Sequence, residues 1–182
     1  MKISTEQTLK ILNVLSWIIF TGVCIEAGGW IFSTFYTLVI NAVNAHRSWP
    51  GLDLSSLYDY GRGYFLAEMV QISLVSLMRA VLFYMIIDIL QSKKLDITQP
   101  FSKNVGRFLF RMSYLSLLIG MFSWSGAQYT ELLLSKGVKL PDLQHLRLGG
   151  ADVWLFMGVT IFVIAQIFKR GIEIQTENEL TV

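Results

Sequence analysis

Residues 11–43 read ILNVLSWIIFTGVCIEAGGWIFSTFYTLVINAV. The only formally charged side chain in that run is Glu26, which stands beside Ala27-Gly28-Gly29. As one α-helix, these residues would extend about 50 Å, whereas a bilayer's hydrocarbon core is about 30 Å thick. The run is too short for two spans. It predicts one helix that protrudes, tilts, or breaks near the glycine pair. Lys2 and Lys10 precede Ile11–Val23, which resembles the apolar region of a signal peptide. However, the apolar run continues to Val43, no A-x-A site follows, and Thr21-Gly22-Val23-Cys24 is a poor lipoprotein box. The expectation is a retained membrane anchor.

Three further apolar stretches lie downstream. Span two covers about 64–90 and contains Arg79. Span three covers about 108–134, and its central part, Met112–Thr130, has no formal charge. Span four covers about 149–168 and is just long enough to cross. Polar connections at 44–63, 91–106 and 135–148 separate the spans, and a tail at 169–182 follows. The sequence predicts an all-α fold: one transmembrane domain over 1–182, built as an integral membrane four-helix bundle.

Composition agrees with this. The chain has 182 residues, 53% hydrophobic and 15% charged, against about 25% charged in an ordinary soluble domain. A net charge of +2 gives no pull toward nucleic acid, so no direct nucleic-acid partner is expected. The single cysteine, Cys24, rules out an intrachain disulfide and reads as inert packing in its apolar run.

The basic residues set the expected orientation. Lys2, Lys10, Lys93, Lys94, Lys103, Arg107, Arg111, Lys169 and Arg170 fall on one side; Arg47, Arg62, Lys136, Lys139 and Arg147 fall on the other. The positive-inside rule puts the larger group, and with it both termini, in the cytoplasm. Trp49 and Trp154 then lie near the outer boundary and Trp17 near the inner one, as an aromatic belt would have them, while Trp124 falls deeper and reads as a packing residue.

Pro100-Phe101-Ser102 after span two, and the closing stretch from Arg170-Gly171-Ile172-Glu173 to Glu179-Leu180-Thr181-Val182, resemble the bacterial domain-of-unknown-function family numbered 2975. That resemblance covers the layout of the whole chain and is most specific in the tail. It implies a small four-span protein of a bacterial cytoplasmic (inner) membrane, of a kind often encoded beside small helix-turn-helix regulators. It supplies no catalytic residues.

Ionisable groups within a span are costly and read as functional by default. Counted from Lys10, Glu26 lies roughly 24 Å along span one; counted back from Lys93, Arg79 lies roughly 21 Å along span two. The two therefore share a depth on antiparallel helices and are predicted to pair. Such a pair can fix helix register, or it can line a polar pathway or switch. Glu68, Glu131 and Asp152 count to the outer boundary, where water is within reach. Asp88 counts to the inner one, near Arg111 and Lys10. Ser116 and Gly120 form a small-xxx-small pair that suits close helix packing. In the tail, Glu173 and Glu177 share a helix face and, with Glu179, form an acidic end that could dock a basic partner.

No phosphate loop, nucleophile elbow or close metal-ligand spacing occurs. His46 and His145 are the only histidines, both in polar connections. No catalytic residue, cofactor or metal is expected. Two functional readings remain open. One is a regulatory or sensory partner of a cytosolic protein. The other is an oligomeric small-solute or ion transporter or channel subunit that uses the Glu26–Arg79 region. The expected partners are membrane lipid, a cytosolic regulator and, for transport, further copies of the chain.

Overall fold

The computed structural model describes residues 5–91 and 102–179, with side chains over 7–177 of that range. Among the described residues there are five α-helices. α1 spans Thr5–Phe35 and runs directly into a π-helical turn, Tyr36–Ile40. A 3₁₀ segment, Ala42–Arg47, and a short helix α2, Ser55–Tyr60, lead to α3, Arg62–Gln91. α4 spans Lys103–Ser135 and α5 spans Ala151–Glu179. Among the described residues there is no strand, only an isolated bridge between Ser48 and Leu52. The helices containing Gln7–Ile40, Arg62–Gln91, Lys103–Ser135 and Ala151–Glu177 are each long and apolar enough to cross a membrane.

The side chains turn outward what a soluble bundle would hide. Ile11, Val14, Ile18, Ile25 and Phe32 of α1 are exposed, whereas its buried positions are Ser16, Ala27, Ser33 and one bulky residue, Trp30, followed by Thr37 in the π-helical turn. Phe156, Val159 and Ile167 do the same on α5. Bulky apolar groups outside and small or hydroxylic groups between helices are the packing pattern of a chain solvated by lipid. Trp124, expected to pack, is exposed on α4, because the buried stripe there is taken by Ser116, Ile119, Ser123 and Gly126.

Packing follows chain order: α1 on α3, α3 on α4, and α4 on α5. The α4–α5 contact depends on missing side chains. A methyl at Gly120 would come within 2.7 Å of the Leu155 side chain and 3.0 Å of its backbone nitrogen, and one at Gly158 would meet Leu117 as closely. Where α5 is bare at Gly158, the Ser113 hydroxyl donates to its carbonyl at 2.9 Å. Helix α4 starts at Ser102, whose side chain accepts from Val105 N–H, as an N-cap serine does. Pro100 and Phe101, the other members of that stop-start element, lie outside the described residues.

The glycine pair does not break the first helix. α1 continues through Gly28 and Gly29. Gly29 is instead a seat for the Trp49 indole, which would collide with any Cβ there. The connection after α1 thus folds back on the helix that precedes it. Ser33 accepts from the Trp49 backbone N–H (3.2 Å), and the Asn44 amide donates to Thr37 Oγ1 (2.9 Å).

Candidate functional site

The connections over 41–61 and 136–150 share one end of the molecule, called here the loop face; the start of α4 and the end of α5 share the other, the termini face. At the loop face the chain after α4 is a compact fold of its own turns. Asp142 C=O accepts from the His145 and Leu146 N–H groups, and Leu143 C=O accepts from Leu148 and Gly149. Leu146 and Leu148 are fully buried and join the same apolar cluster as Trp30, Phe65 and Leu133. Lys139 N–H donates to Ser56 Oγ at 3.0 Å, which ties this connection to α2.

Arg147 stands between the two buried leucines with φ 61°, the left-handed region that non-glycine residues seldom adopt. This strained residue makes the central contacts of the site. Its Nε lies 3.1 Å from Glu26 Oε1 of α1. Its carbonyl accepts from Arg79 Nη2 of α3 at 2.9 Å. The Arg79 guanidinium in turn lies over the Trp154 ring of α5, 5.5 Å from the centroid. One connection therefore binds α1 and α3, and Arg79 extends the node to α5. Immediately after it, Gly150 takes φ 78° before α5 begins, a conformation that favours glycine.

The sequence suggests Glu26 and Arg79 as partners. The structure brings both into one cluster but forms no ion pair between them: Arg147 takes the Glu26 carboxylate, and its carbonyl accepts from Arg79. Helical rise gives the depth of residues on helices but says nothing of a connection that folds inward, so the sequence shows Arg147 only as a loop cation. The node carries two guanidinium groups and one carboxylate. The Glu26 side chain is 22% exposed and that of Arg147 56%, so water screens part of their attraction. Arg79 Nε is buried without a hydrogen-bond partner.

Glu68 is the second departure. Helical rise puts it at a boundary with water access, but its side chain is fully buried between α3 and α4. The Thr130 hydroxyl lies 2.6 Å from Glu68 Oε1 and 3.0 Å from the Gly126 carbonyl, and Glu68 Oε2 has no partner among the described residues. The signal available in sequence was Thr130 itself, a hydroxyl at a matching depth on the neighbouring span.

Among the other ionisable groups, Asp88 lines a groove with Arg111 but makes no ion pair with it. His46 Nδ1 lies 3.6 Å from Asp53 Oδ1 on the loop face. Hydrogen bonds from the Ser55 hydroxyl and Ser55 N–H hold the Asp53 carboxyl below its ordinary range. Among the described residues no group of three or more His, Cys, Asp or Glu side chains converges on a metal-sized space. In the tail, α5 continues as helix through Arg170 to Glu179. Glu173 is paired with Arg170 at 3.1 Å, three residues before it. The Glu179 side chain lies outside the described residues. Cys24 is a free, half-buried thiol.

No family model, curated protein or solved structure matches this chain.

Proposed function

We propose that this chain is a four-span protein of a bacterial cytoplasmic membrane, with both termini cytoplasmic, that acts as a regulatory or sensory partner of a cytosolic protein. The observation that carries this reading is the node of Glu26, Arg147, Arg79 and Trp154. It ties the loop face to α5, and α5 continues unbroken from Ala151 to the acidic tail. A ligand or condition that changed the Arg147 contacts at the outer surface would alter what holds the first turn of α5. The small-residue α4–α5 contact would let that helix respond. Orientation rests on the excess of basic residues at the termini face. The resemblance of the tail to the four-span family, and that family's association with small regulators, support a cytosolic partner.

The test is a pull-down from native membranes, comparing the full chain with one ending at Gly171. A cytosolic protein, expected to be DNA-binding, is retained by the full chain and lost on truncation. The same partners from both forms would sink the tail as a docking site.

Glu68 favours the second reading, an oligomeric transporter or channel subunit. Thr130 has one proton and two nearby acceptors, so a proton carried by Glu68 lets both hydrogen bonds form at once. A buried carboxyl that can take and release a proton is a common element of ion-coupled pathways. Proteoliposome flux that is abolished by Glu26→Gln or Glu68→Gln would favour this reading over the first.

A further inference from the structure

At the termini face, Lys103, Arg107 and Arg111 recur every fourth residue along the start of α4 and so form one stripe. Grooves flank the stripe on both sides, and Arg107 lines both. The groove toward α3 is small, about 110 Å³, with Arg107, Arg111 and Asn104 at its polar side and Met85, Ile89 and Phe108 as its apolar wall. The open groove toward α5 has a volume of about 360 Å³; Lys103 and Lys169 add to Arg107, and Phe110 and Ile172 form the wall.

Among the described residues the charges here are not balanced: Asp88 is the only carboxylate lining the first groove and Glu173 the only one lining the second, and Glu173 is already taken by Arg170. Among the described residues, Lys103, Arg107, Arg111 and Lys169 make no ion pair. The first turn of α4 holds no acidic residue, so the helix dipole adds to the same positive field.

From this we infer that the α4 stripe is a binding site for an anionic phospholipid, with the headgroup phosphate on Arg107 and Arg111 and the acyl chains along the apolar walls. Charge complementarity and the two-part lining argue for a lipid. A free phosphate would use the guanidinium groups and gain nothing from Phe110, Ile172, Met85 or Ile89, whereas an anionic lipid at the end of a membrane-crossing helix uses both. Basic pockets between helices at a membrane surface hold such headgroups. The inference rests on insertion in a bilayer and on neither proposed role.

The test uses the purified full chain in phosphatidylcholine vesicles with a trace of spin-labelled phosphatidylglycerol or, separately, spin-labelled phosphatidylcholine. The fraction of each label immobilised by the protein is measured. Selectivity for the anionic label should fall about fivefold for each guanidinium neutralised in Arg107→Gln and Arg111→Gln. The charge-keeping variant with Arg107→Lys and Arg111→Lys should retain it, and so should one with Lys136→Gln and Lys139→Gln at the loop face. The immobilised phosphatidylcholine reports insertion, so a protein that failed to enter the bilayer is recognised independently. Unchanged selectivity in the double glutamine variant would overturn the site. So would equal loss on neutralising Lys136 and Lys139, or full displacement of the lipid by millimolar inorganic phosphate, which would identify a soluble anion as the ligand.

Discussion

The two ends of the molecule treat charge in opposite ways. At the loop face Arg147 is held in a strained backbone conformation, flanked by buried leucines and bonded to partners from two helices. At the termini face Lys103, Arg107 and Arg111 project from a regular helix, and among the described residues no carboxylate pairs with them. A charge placed by a folded connection is part of the packing, and its removal is felt in stability. A charge on an open helical stripe interacts with whatever surrounds the protein, and its removal is felt in association.

The largest expected effect tests the packing half of this contrast. Leu148→Ala should cost about 2–5 kcal/mol, because its side chain is fully buried in the shared core. Ile174→Ala, exposed toward the other end of α5, should change stability by less than about 0.5 kcal/mol. Chemical unfolding in detergent micelles measures both, and equal costs would erase the distinction.

Next comes the node itself. Glu26→Gln should cost about 1 kcal/mol, kept small by the exposure of Arg147. Combined with Arg147→Ala in a double-mutant cycle, it should show coupling of similar size. Additive effects would mean that the pair contributes nothing.

Backbone strain gives a third test. Arg147→Gly should be more stable than Arg147→Ala by about 1 kcal/mol, since only glycine adopts φ 61° without cost while both lose the guanidinium. If alanine were the better replacement, the strain would be absent in solution.

The smallest effect concerns pH at the exposed 41–61 connection. The Asp53 carboxyl is held below its ordinary range by Ser55, so it contributes stability above that range and loses it as pH falls through the carboxylate region, about pH 4 and below. Amide exchange at Ser55 should speed up over that interval after correction for intrinsic rates, and Asp53→Asn should remove the pH dependence. The termini-face cations should show no matching change.

Long apolar runs made the four helices legible in sequence, since hydropathy over some twenty residues requires no knowledge of neighbours. Depth counting also brought Glu26 and Arg79 to one level, and they share a cluster. What it could not supply was Arg147. That residue reaches Glu26 only because Leu146 and Leu148 draw the connection inward, and leucines in a short polar stretch look the same in sequence whether they are buried or not. Glu68 departs from its sequence reading for a related reason. Distance along a helix measures depth, whereas burial depends on which face meets α4. The Gly28-Gly29 pair read as a weak point, but Trp49, twenty residues later, fills the space that Gly29 leaves.

The unbroken length of α5 has a mechanical consequence. Its 29 residues make a rod of roughly 43 Å, with Gly150 at one end and the acidic tail at the other. Pivoting such a rod by about five degrees at the glycine would carry its far end about 4 Å sideways, roughly three-quarters of the rise of one helical turn. A displacement of well under an ångström beside Arg147 would thus be magnified several-fold at Glu173 and beyond.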